Sequence, residues 1–420
     1  MSTIRLLETK VVKFGGSVLD DEKAINQVAA LIKETTKQGV GVVVVVSAMK
    51  GVTDQLLAAS KRENPHIEPH LLDELLSSGE KTSARLVAAA LAGFELQSVV
   101  VDPDTPYWPI ITDDRHTDAN PMVEETRAKA LQLIMPLLSA GKVPVVCGFL
   151  GKTVDGKTTT MGRGGSDTTA VLLGNCLNAK EVILVKDVEG VYSSDPAKVT
   201  NPQFIESLNG EEAEMLAAGG AKFLHVKALR YQSPGLKIRV TNLDRLDSGT
   251  VIKGELSPVQ VEKSTEGVSM ITLVGLDPER AESIISAAQA VRQAQGELLA
   301  LSLEANAAIF YVSGGKNVLD AVHSVLVGDR IGKAVSEFGH LSMISVKGAA
   351  LETEKGVVQR ITRPLAQTSI NVYGIVTILS SVLVFVSSEQ ADMALKLVRE
   401  AMMPWTERKP SIGTREGISV

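Results

Sequence analysis

The sequence predicts an α/β protein with a mainly parallel sheet sandwiched by helices, followed by two small α+β modules. Three observations support this prediction. Through the first part of the chain, short apolar runs rich in β-branched residues alternate with helical patterns. Further on the chain repeats itself, because "SMITLVG" begins at Ser269 and "SMISVKG" begins at Ser342. Each copy runs from a strand through a helix and two strands into a second helix.

The apolar runs of the first part predict the strands "KVVKF" (10–14), "GVVVVVSA" (41–48), "QSVVVD" (97–102), "VPVVCGF" (143–149), "EVILVK" (181–186) and "KIRVT" (237–241). Helical patterns lie between them, around residues 22–37, 72–92, 121–139, 167–177 and 210–218. Strands that alternate with helices in this way form parallel sheets, whose ligands bind beyond the carboxyl ends of the strands. We therefore expect the functional residues in the loops that follow the strands.

Composition restricts the partners of the protein. Its 420 residues include 43 basic and 49 acidic side chains without a dense basic block, so we expect neither nucleic acid nor a membrane as a partner. Cys147 and Cys176 lie in apolar runs, which predicts buried free thiols and a cytoplasmic protein. The longest apolar stretch, "INVYGIVTILSSVLVFVSS", is interrupted by Asn371, Gly374 and serines, and we predict a pair of buried strands there.

Two overlapping glycine-rich signals occupy residues 151–174. The first, "GKTVDGKT", matches the nucleotide-binding pattern G-x-x-x-x-G-K-[ST], but β-branched residues and glycines follow Lys157 where that pattern requires a helix. We interpret this segment as a hairpin that turns at Asp155 and Gly156. The second, "GRGGSDTTA" (162–170), leads directly into a helical pattern, so its amides and the helix N-terminus can bind phosphate.

Six short motifs occur in order along the chain: "KFGGS" (13–17), "VVVSAMKGVTD" (44–54), "GEKTSARL" (79–86), "GRGGSDTTA" (162–170), "VKDVEGVYSSDP" (185–196) and "GAKFLH" (220–225). With the C-terminal repeat, they resemble the amino acid kinase family, and within it the aspartokinases, which carry two C-terminal ACT domains. The resemblance implies a kinase domain at 1–255, ACT-like domains at 265–335 and 338–403, and a tail at 404–420. It also implies transfer of the ATP γ-phosphoryl group to the side-chain carboxylate of L-aspartate, the first step towards lysine, threonine and methionine.

Phosphoryl transfer requires positioning and positive charge more than a covalent nucleophile. The matching family positions imply that Lys13, Asp167 and Lys222 are catalytic, with Asp167 holding both lysines. They imply that aspartate is bound by Ser47, Thr53, Glu80, Arg163 and Ser166, because a guanidinium suits a carboxylate and a carboxylate suits an ammonium group. The implied ATP contacts are Lys13, Gly15, Gly16, Ser17, Gly164, Gly165, Asp187, Tyr192, Lys198 and Lys222. No side chain is expected to bind a metal, since Mg²⁺ would be held mainly by the nucleotide phosphates.

Five residues depart from the family pattern. Val18, Lys186, Ala197 and Val226 stand where the family usually has a hydroxyl residue, Thr, Arg and Pro. Lys227, next to Val226, also stands where the family usually has Arg. We expect these changes to affect contacts with the adenosine part of ATP more than the chemical step.

The resemblance further implies an effector, lysine or threonine, bound by the repeat, with Asn371 and Ser380 as candidate contacts. We expect a homodimer or a larger homo-oligomer, and a purely structural dimerisation role for the repeat is the alternative. Two other functions stay open: another kinase of the family, acting on acetylglutamate, carbamate or UMP, and a non-catalytic amino-acid sensor. The repeat and "VSAMKGVTD" disfavour the first, and retention of Lys13, Asp167 and Lys222 disfavours the second.

Overall fold

The computed structural model describes residues 8–254, 256, 259–276, 281–348, 351 and 356–406, without the side chains of 404–406. The chain divides into two compact units, Met1–Leu256 and Ser257–Val420. The predicted tail, 404–420, begins inside the last helix, and its residues 407–420 lie outside the described part. None of the described helices has the length and apolar character that crossing a membrane requires.

The first unit contains strands β1 (Thr9–Phe14), β2 (Gly41–Val46), β3 (Ser98–Val101), β4 (Val143–Cys147), β5 (Leu150–Lys152), β6 (Thr158–Thr160), β7 (Glu181–Val185), β8 (Val191–Tyr192), β9 (Phe204–Ile205), β10 (Ser207–Asn209), β11 (Lys237–Thr241) and β12 (Thr250–Lys253). Eight of these form one sheet in the order β10-β12-β11-β7-β1-β2-β4-β3. The six strands from β11 to β3 in this order are mutually parallel, and β12 runs antiparallel to β11. The predicted mainly parallel sheet is confirmed.

Burial explains why the strands could be recognised. All six residues of β2 are buried, so both faces of the sheet are covered at its centre. A strand that is buried on both faces has a continuous apolar sequence instead of an alternating one. Burying each valine stabilises the fold by about 1.5–3 kcal/mol relative to leaving it exposed.

The helices of the first unit are α1 (Glu22–Lys37), α2 (Val52–Glu63), α3 (Pro69–Gly93), α4 (Val123–Leu133), α5 (Met135–Ser139), α6 (Gly165–Cys176), α7 (Gly210–Ala218) and α8 (Val226–Leu229). The single helix predicted over 121–139 is wrong in one respect, because the chain breaks at Ile134 into α4 and α5. Pro136 accounts for the break, since proline has no N–H to continue a helical ladder. Helix α2 lies where the sequence patterns predict no helix.

The segment that resembles a nucleotide-binding loop forms the predicted hairpin. Strands β5 and β6 pair antiparallel, and Gly156 lies in the turn with a φ of +91°. The Lys157 ammonium contacts only the Asp155 carboxylate among the described residues, at 3.4 Å, and its side chain is exposed. No helix begins at Lys157, so this segment lacks the strand-to-helix geometry that the nucleotide-binding pattern requires.

The second unit contains strands β13 (Gln260–Lys263), β14 (Val268–Val274), β15 (Gly296–Glu304), β16 (Ala307–Gly314), β17 (Ala334–Lys347), β18 (Val372–Ile378) and β19 (Ser381–Ser387). Its helices are α9 (Ala281–Gln293), α10 (Val318–Gly328), α11 (Val357–Gln367) and α12 (Ala391–Thr406), with a short 3₁₀ turn at Ser388–Gln390. The repeated order of strand, helix, two strands and helix is confirmed. The longest apolar stretch forms a strand pair as predicted, but only β19 has buried residues, because every residue of β18 is half-buried or exposed.

Strand β17 joins the two repeats into one sheet. Its first half pairs with β14, and its second half pairs with β13 and β19. Strand β13 precedes the first repeat in the chain yet belongs to the second half of the sheet. The two halves also meet through side chains, because the Tyr311 and Phe385 rings stack with centroids 3.9 Å apart and the Tyr311 hydroxyl donates to the Tyr373 carbonyl at 3.1 Å.

The two candidate effector contacts lie far apart. Asn371 immediately precedes β18, whereas Ser380 lies in the turn that follows this seven-residue strand. A strand of that length spans roughly 23 Å. One chain therefore does not bring both side chains to the same small amino acid, and Asn371 and Ser380 stay predicted effector contacts, separately or across a dimer.

Candidate active site

The carboxyl ends of the parallel strands bring charged side chains together at one edge of the sheet. Lys13 is the penultimate residue of β1, and Asp167 lies in the first turn of α6. The Lys13 Nζ atom lies 2.8 Å from Asp167 Oδ1, and both residues are 5% exposed. Lys186 directly follows β7, and its Nζ atom donates to Asp167 Oδ2, also at 2.8 Å. Asp167 is therefore held between two ammonium groups.

These contacts determine the charge states. Burial lowers the pKa of Lys13 to about 8, although the Asp167 carboxylate opposes the shift. Burial alone would raise the pKa of Asp167, but Lys13 and Lys186 outweigh it and hold the pKa of that carboxyl far below its ordinary value. Asp167 consequently stays ionised, and the three groups together carry a net positive charge at neutral pH.

Lys222 does not occupy the predicted place. Its side chain is exposed in the turn before α8, and it is not one of the cations that contact Asp167. The expectation that Asp167 holds Lys13 and Lys222 is therefore wrong, because Lys186 takes the second position. Sequence reasoning treated Lys186 only as a departure from the family.

The N-terminus of α6 offers unbonded amides beside this cluster. Its N-cap, Gly164, has no side chain to cap the helix, and the N–H groups of Ser166 and Asp167 have no acceptor within the described chain. After β1, the Gly16 and Ser17 amides are likewise without an acceptor in the described residues. Such amides, with the helix dipole, can bind an anion.

The predicted glycines divide into two groups. The Gly15 and Gly165 amides donate to the Val185 and Gly162 carbonyls, so they serve the fold and are not free to bind phosphate. Gly16 is needed for space, because a Cβ there would lie 2.5 Å from the Ala48 carbonyl oxygen. Val18, which stands two residues after Gly16 where the family usually has a hydroxyl residue, is buried in the core.

Gly164 is fixed by a contact that sequence reasoning missed. Its φ is +73°, and a Cβ at this position would lie 2.2 Å from the Cβ of His225. His225 is half-buried, and its Nδ1 accepts a hydrogen bond from the Lys227 amide at 3.3 Å. Burial lowers the pKa of His225, which favours the neutral ring. The imidazole thus packs against the glycine loop.

We expect Gly164→Ala to lower turnover by about 100-fold, because a displacement of about 1 Å at a transfer site has that effect. Gly39→Ala is the matched control, since Gly39 has a φ of +74° and a Cβ added there would have no neighbour within 4 Å. The control should lose about 1–2 kcal/mol of stability and retain its turnover. Steady-state rates and thermal unfolding of both variants check this, and equal effects on turnover would contradict the contact argument.

A buried carboxyl group lies next to the loop that follows β2. Glu80, in α3, is 3% exposed, and its Oε1 accepts a hydrogen bond from the Ala48 amide at 3.2 Å. Its Oε2 has no hydrogen-bond partner in the described chain, and burial raises the pKa of Glu80 to about 7. Gly79 permits this close approach, because a Cβ there would lie 2.9 Å from the Ala48 Cβ. The Oε2 atom can accept a hydrogen bond from an N–H group of a ligand.

The other predicted substrate residues surround these loops at the sheet edge. Ser47 follows β2 and Thr53 lies in the first turn of α2, and both are half-buried. Arg163 is exposed between Gly162 and Gly164, which both have positive φ. Ser166, in the first turn of α6, is half-buried.

Lys227 stabilises the start of the glycine loop, a role that sequence reasoning did not find. Its buried Nζ donates to Asp118 Oδ1 at 2.8 Å, to the Ala119 carbonyl at 3.0 Å and to the Met161 carbonyl at 2.8 Å. Met161 directly precedes the loop that carries Arg163. Lys227 thereby fixes two loops at one point.

The predicted nucleotide segment after β7 lies mostly at the surface. Asp187 and Lys198 are exposed, and Lys198 forms an ion pair with Asp195 at 3.7 Å. Tyr192 packs edge-on against Phe204 with ring centroids 5.5 Å apart, and its hydroxyl donates to Glu189. Among the described residues, no group of three His, Cys, Asp or Glu side chains is arranged to hold a metal ion.

Comparison with known proteins gives consistent matches. A model of the amino acid kinase family matches residues 8–242. An aspartokinase of Corynebacterium glutamicum is 30% identical over 93% of this chain and 95% of its own length. One from Thermus thermophilus is also 30% identical, over 93% of this chain and 98% of its own. The solved aspartate kinase from Synechocystis is 25% identical, covers 94% of this chain and 69% of its own, and has a TM-score of 0.74.

Proposed function

This chain belongs to the aspartokinases of the amino acid kinase family, and we infer from that membership how its candidate site works. The enzyme transfers the γ-phosphoryl group of ATP to the side-chain carboxylate of L-aspartate and forms 4-phospho-L-aspartate and ADP. This reaction is the first step towards lysine, threonine and methionine. The observation that best supports the assignment of residues is the buried Lys13–Asp167 pair beside the unbonded amides of α6.

In the reaction, a carboxylate oxygen of aspartate attacks the γ-phosphorus, and the bond from that phosphorus to the bridging oxygen of ADP breaks. The carboxylate is already anionic, so no side chain has to remove a proton. The contribution of the protein is to position both substrates and to stabilise the negative charge of the transferred group. We assign the stabilising charge to Lys13, oriented by Asp167, and the amide contacts to Gly16, Ser17, Gly164 and the start of α6.

The nucleotide would bring Mg²⁺ with it. Asp167 is already paired with two lysines, and the described residues provide no cluster of metal-binding side chains. We propose that such an ion would be held mainly by the nucleotide phosphates and water. When bound, the ion neutralises charge on the β- and γ-phosphates. We propose Asp187, Tyr192 and Lys198 as contacts to the nucleoside part, and Lys222 as a phosphate contact from its exposed turn.

Aspartate has one ammonium group and two carboxylates to be recognised. We assign the ammonium group to Glu80, whose Oε2 is buried without a partner in the described chain. Arg163 would bind a carboxylate through two parallel hydrogen bonds, a geometry that lysine cannot reproduce. Ser47, Thr53 and Ser166 would donate hydroxyl hydrogen bonds around the same ligand.

An assay of ADP release tests the assignment against its alternatives. Purified enzyme is supplied with ATP and aspartate, N-acetylglutamate, UMP, carbamate or no acceptor. Release that depends on aspartate alone is the expected result. Release with another acceptor would identify a different kinase of the family, and no release with any acceptor would favour a non-catalytic sensor.

We also propose that the second unit is regulatory and binds an amino acid, lysine or threonine, within a homodimer or larger homo-oligomer in the cytoplasm. The paired repeats support this, since each contributes half of one sheet around the Tyr311–Phe385 stack. The buried free thiols of Cys147 and Cys176 agree with a reducing compartment.

We expect an effector to change aspartate affinity through a coupling free energy of about 1–3 kcal/mol, with an equal reciprocal effect of aspartate on the effector. Calorimetric titration of lysine and of threonine, with and without aspartate, measures both directions. Failure of both amino acids to bind the active enzyme would contradict this proposal and favour a structural role for the repeats.

A further inference from the structure

The position of Lys186 follows from strand register. Lys13 lies opposite Leu184 in the parallel pair of β1 and β7. Side chains two residues apart on an extended strand point to the same face, so Lys186 extends over the face that carries Lys13. Its amide is fixed by a hydrogen bond to the Thr241 carbonyl at 2.7 Å. The register with β1 and the amide hydrogen bond to Thr241 therefore hold the Lys186 backbone in a position from which its side chain reaches Asp167.

Two cations on one carboxylate exceed what a structural ion pair requires. A buried carboxylate is neutralised by one ammonium group, and each further buried charge has a desolvation cost. Lys13, Asp167 and Lys186 together leave an excess positive charge beside the free amides of α6. The Lys186 side chain is 16% exposed, so part of it remains accessible to a ligand. The two lysines and the free amides together are suited to binding an anion that carries several negative charges.

We propose that Lys186 is a second phosphate-binding cation of this enzyme, held by Asp167 beside Lys13 and contacting the nucleotide phosphates. This proposal rests on the assigned kinase function and adds a residue to its site. Lysine at this position distinguishes the chain from the usual family pattern, in which threonine precedes the aspartate of the loop. Lys222 is exposed, and Lys186 forms the second ion pair with Asp167.

Lys186 also influences the titration of Lys13. The charged groups that face Lys13 are Asp167 on α6 and Lys186 after β7, whereas the adjacent stretch of β2 contributes only valines. Lys186 is one of the groups that lower the pKa of Lys13, after burial itself. Loss of the Lys186 charge should thus raise the pKa of Lys13 and move the alkaline limb of kcat/KM for ATP to higher pH.

The test compares Lys186→Met, Lys186→Gln and Lys186→Arg with Lys157→Met, which removes an exposed lysine from the β5–β6 hairpin. Calorimetry measures the affinity of each variant for ADP and for a non-hydrolysable ATP analogue. Steady-state rates give the two KM values, kcat and the pH profile, and thermal unfolding shows which variants are folded. ADP affinity does not depend on which acceptor is phosphorylated. The calorimetric test of Lys186 therefore gives its answer independently of whether aspartate is the substrate.

We expect Lys186→Met and Lys186→Gln to weaken nucleotide binding by about 10- to 100-fold, the effect of losing one charge-assisted hydrogen bond. Lys186→Arg should stay within about threefold of the wild type because it keeps the charge. The aspartate KM and the Lys157→Met control should change little. Nucleotide affinity and a pH profile like the wild type in folded Lys186→Met or Lys186→Gln would overturn the proposal, as would equal losses in all three Lys186 variants.

Discussion

Replacing Lys13 with methionine is expected to lower kcat for aspartate-dependent ADP release by about 10²- to 10³-fold, the effect of removing one preorganised group that stabilises transition-state charge. Methionine keeps much of the length of the side chain, and Asp167 retains its second ion pair with Lys186 at 2.8 Å. The buried carboxylate is thereby not left without a counter-charge, and the fold should persist. A coupled assay of ADP release at saturating ATP and aspartate measures kcat of the variant and of the wild type.

Lys157→Met is the matched control for this experiment, because it makes the same chemical change at an exposed lysine of the hairpin. Its turnover should stay within about twofold of the wild type, as for most surface substitutions. Turnover of Lys13→Met near the wild-type value would remove the basis of the proposed site. A loss in Lys157→Met as large as that in Lys13→Met would instead assign the phosphates to the glycine pattern around Lys157.

Replacing Glu80 with glutamine should raise the aspartate KM by about 10- to 100-fold, because a charge-assisted hydrogen bond to the ammonium group contributes about 1.5–3 kcal/mol. The ATP KM should change by less than about threefold, since Glu80 faces the loop after β2 and not the Lys13–Asp167 pair. Measuring each KM at saturating levels of the other substrate separates the two effects. Equal increases in both KM values would mean that Glu80 supports the whole site and does not bind aspartate.

The pKa of Glu80 gives this prediction a pH signature. Burial raises that pKa to about 7, so below pH 7 the free enzyme carries a neutral carboxyl group that binds an ammonium ion poorly. The kcat/KM for aspartate should accordingly rise with pH through about 7, and Glu80→Gln should abolish this limb. Because the folded-state pKa lies above the ordinary value of 4.5, the protonated Glu80 stabilises the fold at low pH, and this contribution is lost as pH rises from about 4.5 to about 7 and changes little above that. The glutamine variant should lack this decline, which thermal unfolding from pH 5 to 9 measures.

The strands of the first unit could be predicted because the physics of a doubly covered sheet leaves a simple sequence pattern. Strand β2 is valine at five successive positions, and burial on both faces requires such a run. Helix α2 was not predicted because its sequence has little apolar periodicity. Its only buried side chain is Ser60, so packing against the rest of the unit does not require an apolar face. The break between α4 and α5 was available in the sequence, since Pro136 lies within the predicted helix.

The site was predictable in its residue types and less so in its contacts. Lys13, Asp167 and Glu80 came from resemblance to a family, and their burial and mutual geometry came only from the structure. Which lysine reaches Asp167 depends on the register of β1 and β7, and no local pattern specifies a register between strands so far apart in the chain. The same holds for Gly164, whose requirement for glycine arises from contact with the distant His225.

Transfer of an oxygen label tests the central claim, attack of the aspartate side-chain carboxylate on the transferred phosphorus, most directly. Aspartate labelled with ¹⁸O in the side-chain carboxylate is incubated with enzyme and ATP, and hydroxylamine traps the acyl phosphate by attack at its carbonyl carbon. Phosphate released by the trapping reaction retains the oxygen that bridged carbon and phosphorus. We predict one ¹⁸O atom per released phosphate, together with the side-chain hydroxamate of aspartate. Unlabelled phosphate without a hydroxamate would show that ATP was cleaved by water, and would contradict direct attack by the carboxylate.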